Sequence, residues 1–151
     1  MKILLALVAI LCLASFANAY TKFVYHNGDE ILRQLQAMDG KTYILYFYND
    51  PGSNRDLRTT NDYFKDRLRA EILEPEGKKT EYMYAEVDAT DKYGNGYLVD
   101  RLGVDRSGLN DKPTIVVMKN GIGNVIRGPT ALHSLTKALE TLGGAAAPPA
   151  K

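Results

Sequence analysis

The chain has 151 residues, enough for one domain and too few for a second of ordinary size. Its 19 basic and 18 acidic residues nearly cancel, so it lacks the positive excess on which nucleic-acid binding draws. There is one cysteine, Cys12, and no Asn-x-Ser/Thr triplet, so neither an intrachain disulfide nor N-glycosylation is expected.

The first segment reads as a leader. Met1-Lys2 is a short basic start, Ile3 to Leu13 is an apolar run, and Ala17-Asn18-Ala19 is a small-x-small site. That pattern predicts a secretory signal peptide over 1–19, cleaved before Tyr20. The apolar run is shorter than the ~20 residues a membrane-spanning helix needs, and no later stretch is long enough. Cleavage would remove Cys12 and Lys2. The mature chain would then hold 18 residues of each charge, with no disulfide, no thiol nucleophile and no thiolate ligand. About 130 residues can close a core by packing alone.

In the mature chain, Lys22 to His26 predicts a first strand, broken by Asn27-Gly28. Asp29 is a candidate N-cap for a helix carrying Ile31, Leu32, Leu35 and Met38, with Gly40 as its stop. Thr42 to Tyr48 is β-branched, apolar or aromatic throughout, the pattern of a strand buried on both faces. Asn49 to Asn54 is a turn by composition. A long helix follows from Arg55 to Leu73, with Leu57, Phe64, Leu68 and Ile72 inward, ended by Pro75 and Gly77. Glu81 to Asp88 alternates as a third strand, expected at a sheet edge. Gly94-Asn95-Gly96 reads as loop and Tyr97 to Leu102 as a short helix.

The most informative stretch is Lys112 to Gly121. It opens on Pro113, runs through Ile115, Val116 and Val117, and closes on Asn120-Gly121, a strong tight-turn signal. A strand from Gly123 to Arg127 follows, then Gly128-Pro129. A helix from Ala131 to Leu142 carries Leu132, Leu135, Leu139 and Leu142 on one face. Gly143 to Lys151 is small and breaker-rich, which predicts a flexible tail. Its Pro-Pro-Ala-Lys ending differs from a Lys-Asp-Glu-Leu-type signal, so export is expected over retention in the lumen.

The order β1-α1-β2-α2-β3-α3-β4-β5-α4 resembles a complete thioredoxin domain over residues 20–142, an α/β fold with a mixed sheet and helices on both faces. The resemblance implies a cis-proline at Pro113, facing the turn after the second strand. In redox members of that superfamily this turn holds Cys-x-x-Cys, its thiol activated by the helix N-terminus. Here the place is Asp50-Pro51-Gly52-Ser53-Asn54-Arg55, without cysteine, and an alcohol such as Ser53 cannot cycle between thiol and disulfide. The chain is therefore expected to be redox-inactive and no enzyme, with no cofactor. What the resemblance leaves is polypeptide binding by β-augmentation beside the proline. The candidate residues are Pro51, Gly52, Ser53, Asn54, Lys112, Pro113, Arg127 and Gly128.

Rival features carry less. Asp91 to Leu98 fits part of an EF-hand loop through Asp91, Asn95 and Gly96, but Tyr93 and Leu102 stand where calcium ligands belong. His26 and His133 pair with nothing as metal ligands or as an acid/base couple. Asp88 reads as a strand-end cap. Ten tyrosines include the same-face pairs Tyr46/Tyr48 and Tyr82/Tyr84, explained by strand propensity or by a contact surface. The leading expectation is a secreted binding or scaffold module that holds polypeptide. The alternatives are a structural subunit of an extracellular or surface assembly, joined to copies of itself or to a fixed partner, and, last, a non-redox enzyme using carboxylates such as Asp50 or Asp88.

Overall fold

The structure is a computed structural model that describes residues 20–75 and 81–144. The expected signal peptide lies outside the described residues, as does most of the expected tail. Five strands form one sheet in the order β1-β3-β2-β4-β5: β1 (Tyr20–Lys22), β2 (Thr42–Tyr48), β3 (Tyr82–Asp88), β4 (Thr114–Lys119) and β5 (Ile122–Ile126). β1, β3 and β2 are mutually parallel, while β4 runs antiparallel to β2 and β5 antiparallel to β4. This is a thioredoxin-like α/β fold, as the sequence predicts. β3 is not an edge, because β1 pairs along its outer side.

The central strands are buried on both faces, so their side chains seed two cores. Ile44, Tyr46, Tyr84, Ile115 and Val117 pack under α2 (Arg55–Leu68) and α4 (Ala131–Gly144). Leu45, Phe47, Ala85, Val87 and Val116 pack under α1 (Gly28–Gln36) and α3 (Lys92–Arg101). Tyr46, Tyr82 and Tyr84 are buried, so these tyrosines fill the core and form no contact surface. Their hydroxyls keep polar partners at its margin: Tyr46 donates to the Asn61 carbonyl at 3.0 Å and Tyr84 to the Glu86 carboxylate at 3.2 Å. α2 passes into a single π-helical turn, Arg69–Leu73, so the apolar run to Leu73 continues with altered winding.

Several boundaries differ from expectation for local reasons. β1 begins at Tyr20, whose ring meets Tyr84 edge-on at 5.9 Å; parallel pairing with β3 selects this register over 22–26. Asn27, not Asp29, caps α1, its side-chain oxygen accepting from the Glu30 N–H. α1 ends at Gln36, before the left-handed Met38 and Gly40. Gly143 and Gly144 extend α4 rather than starting the tail.

The largest departure is α3. Gly94-Asn95-Gly96 is helical, although glycine disfavours a helix interior by about 1 kcal/mol. Asp91 caps the helix through the Gly94 N–H at 2.8 Å, and the Asn95 amide donates to the Asp88 carbonyl at 3.0 Å. The neighbouring helix supplies the rest. A Cβ on Gly28 would sit 2.6 Å from the Leu98 Cβ and 3.4 Å from the Asn95 Cα, so α1 and α3 cross at a spacing that only glycine permits. Gly28→Ala is therefore expected to force the helices apart and cost about 1–3 kcal/mol. Urea denaturation would measure it, and an unchanged midpoint would contradict the crossing described.

Candidate functional site

β2 and β3 end together, Tyr48 beside Asp88, and β4 begins alongside them with Thr114 opposite Phe47. The loops after β2, before β4 and after β5 therefore gather at one end of the sheet. The first is a closed turn. Gly52 N–H donates to Asp50 Oδ1 at 3.0 Å, Asn54 N–H to the Pro51 carbonyl at 2.8 Å, and Gly52 takes a φ of 51°. Asn54 then caps α2 through the Leu57 N–H, and Arg58 clasps the Gly52 carbonyl at 2.7 Å.

The loop before β4 carries a 3₁₀ turn, Gly108–Asn110. Asp105 anchors its start by accepting from Ser107 Oγ and N–H at 2.7 and 3.0 Å, and these bonds, the side-chain one first, hold its carboxyl below the usual range. A chain of amides ties this loop to the sheet. Asn61 on α2 donates to the Asn49 carbonyl at 3.2 Å, and the Asn49 amide donates to Asn110 Oδ1 at 2.8 Å and to the Arg106 carbonyl at 3.2 Å. The Arg106 guanidinium in turn reaches the Gly96 carbonyl and Asp100. Asn49, a polar residue directly after the β-branched, apolar and aromatic run of β2, is the one sequence signal that could have found this network.

Two open cavities border the loop. One, about 200 Å³, is lined by Gly108, Asp111, Lys112, Pro113, Thr114, Arg127 and Gly128. The other, about 320 Å³, is lined by Asn49, Ala89, Thr90, Lys92, Arg106, Ser107 and Asn110. The fold thus brings the predicted Lys112, Pro113, Arg127 and Gly128 to one cavity and adds Gly108, Asp111 and Thr114. Pro51, Gly52, Ser53 and Asn54 line neither cavity. At the floor Pro113 and Thr114 are buried, while the cations stand at the rim. Arg127 is held there by donating to the Gly103 carbonyl at 2.7 Å.

Two expectations at Pro113 are corrected. Among the described residues every peptide bond is trans, including Lys112–Pro113, the isomer an X–Pro bond intrinsically prefers by about 0.5–1 kcal/mol. The Lys112 N–H donates to the Gly108 carbonyl at 3.2 Å, as the Asp111 N–H does at 3.4 Å, so the chain stays turned past the 3₁₀ segment. The Lys112 N–H is not free for pairing with an added strand. What the cavity offers is a buried floor of Pro113 and Thr114, two cations and one carboxylate.

Elsewhere, Asp88 accepts from the Thr90 N–H and hydroxyl at 2.8 and 2.6 Å, capping its strand as expected. Burial pushes the neighbouring Tyr25 phenol up to about 12, helped by Tyr48 and Asp88. No group of three or more His, Cys, Asp or Glu side chains suited to a metal ion occurs among the described residues.

No protein-family model matches the chain, and no curated protein does. Among solved structures, it is similar to the first thioredoxin domain of mouse protein disulfide-isomerase A4, at 19% identity over 87% of this chain and 80% of that one, with a TM-score of 0.49. Thioredoxin O2 from Arabidopsis thaliana matches at 16% identity over 83% and 95%, with a TM-score of 0.49. Thioredoxin from Trypanosoma brucei brucei matches at 13% over 84% and 95%, with a TM-score of 0.47. The fold assignment rests on strand order and pairing, which need none of these likenesses.

Proposed function

We propose that this chain is a non-catalytic thioredoxin-like module of the secretory or extracellular space that holds polypeptide at the cavity beside Pro113. The observation that carries the reading is the cavity itself, where buried Pro113 and Thr114 lie between Lys112 and Arg127. A buried floor of proline and threonine with cations at the rim suits a small side chain together with the carbonyl or carboxylate oxygens that flank it. Dithiol–disulfide cycling within the chain would need two thiols, and Cys12 is the chain's one cysteine, within the expected leader. With the Lys112 N–H engaged, the partner is held through side chains rather than as an added strand.

The test is binding of a reduced, carboxymethylated protein as an extended-polypeptide probe, followed by fluorescence anisotropy. Reversing both rim charges, Lys112→Glu with Arg127→Glu, is expected to weaken binding at least tenfold, about 1.4 kcal/mol. Both side chains reach solvent, so the variant should lose only the exposed hydrogen bond from Arg127 to Gly103 and keep the parent's circular dichroism. Equal binding by parent and variant would overturn the assignment.

A further inference from the structure

At the far edge of the sheet from β1, strand β5 has the sequence Ile-Gly-Asn-Val-Ile, with no charge and no proline. Edge strands normally carry such residues to block pairing with other chains. Ile122 is 69% exposed and Val125 41% exposed. The backbone decides what the edge can accept. Asn120 and Gly121, with φ of 49° and 76°, form a two-residue primed turn between Lys119 and Ile122. The pair closing such a turn is hydrogen-bonded, and pairs alternate along the ladder. Asn124 and Ile126 therefore bond inward to Val117 and Ile115, while the N–H and C=O groups of Gly123 and Val125 point out of the sheet.

We propose that β5 is a homodimerisation edge, pairing antiparallel with β5 of a second copy about a two-fold axis at Asn124. In that register Gly123 faces Val125 of the other copy. Each copy's two outward N–H groups donate to the other's two outward carbonyls, so all four exposed groups of each strand are satisfied at once. Asn124 meets its own symmetry mate across the axis, and Ile122 lies opposite Ile126. The match is isologous: one strand complements itself, and the two sheets join into one of ten strands. Charge agrees with a second copy as occupant, since no like charges oppose each other within either strand. Two five-residue strands alone bury less than the roughly 1,200 Å² of a stable interface. The dimer is therefore weak and forms with rising concentration.

Sedimentation of the mature protein, from low micromolar to its solubility limit, tests this directly. The expected result is a monomer that passes to a dimer and no further, since the two-fold contact closes on itself. Asn124→Lys places two cations face to face on the axis, and Val125→Pro removes only an outward N–H. Both variants should remain monomeric at the highest concentration, with the circular dichroism of the parent. If one fails to fold, the other decides. A parent that stays monomeric throughout, a species larger than a dimer, or a dimer that survives the substitution in a folded variant would each overturn the proposal. The substitutions lie outside the Pro113 cavity, so probe binding and self-association can fail separately.

Discussion

Raising the pH above 10 is expected to unfold this protein in one cooperative alkaline transition. Six phenols, those of Tyr25, Tyr43, Tyr46, Tyr48, Tyr82 and Tyr84, have pKa values raised above the ordinary 10.0, in each case chiefly by burial. For Tyr25 and Tyr43 the value reaches about 12. Tyr43 is also held protonated by its hydrogen bond to Asp39. The unfolded chain ionises such phenols near pH 10, while the folded chain keeps them neutral. Above pH 10 the unfolded state therefore binds fewer protons, and stability falls as pH rises. The contribution is complete below pH 10 and falls from there, the share of Tyr25 and Tyr43 being lost through about pH 12. Each phenol ionised only in the unfolded chain steepens the fall by about 1.4 kcal/mol per pH unit. The absorbance of these six phenolates and the far-ultraviolet circular dichroism should change together. Ionisation of these six one after another without loss of helix would contradict this burial.

Tyr46→Ala should be the most damaging single substitution near the site. The side chain is wholly buried between α2 and the sheet, and removing an aromatic ring from such a place costs about 3–5 kcal/mol. A typical domain has only about 5–15 kcal/mol in total. The ring also ends on the carbonyl of Asn61, whose side chain begins the amide chain to Asn49 and Asn110. Tyr46→Phe separates the two effects. It keeps the packing and leaves the Asn61 carbonyl without this donor, at about 1–3 kcal/mol. Equal denaturation midpoints for Tyr46→Phe and the parent would show that the hydroxyl anchors nothing.

The parts of this fold that were legible in sequence are those where one force dominates. Thr42 to Tyr48 is apolar on both faces, and its bounds as a strand are those of β2. Asn120-Gly121 needs positive φ at both positions, and the hairpin turns there. The four-leucine face of α4 meets the core. Where two forces compete, reading residue by residue fails. Glycine propensity argued for a loop at 94–96, but the close approach of Gly28 and the Asp91 cap make it helix. Pro113 stands just before the start of β4, as expected, but its peptide bond is trans where the resemblance implies cis. Half of the candidate site was legible for the same reason. Lys112, Pro113, Arg127 and Gly128 meet because β4 and β5 are a hairpin, which the sequence announces. Gly108 and Asp111 enter through a 3₁₀ turn of ordinary composition. Pro51 to Asn54 are tied up in their own turn and helix cap, a matter of hydrogen-bond geometry rather than residue type.

The measurement that bears most directly on polypeptide holding is a backbone amide shift map of the chain from Tyr20 onward, titrated with the carboxymethylated polypeptide. The account predicts saturable shifts centred on Gly108, Asp111, Lys112, Thr114, Arg127 and Gly128, with the β5 edge and the 51–54 turn largely unmoved. Shifts confined to another surface, or none at concentrations that saturate thioredoxin-like binding modules, would contradict it.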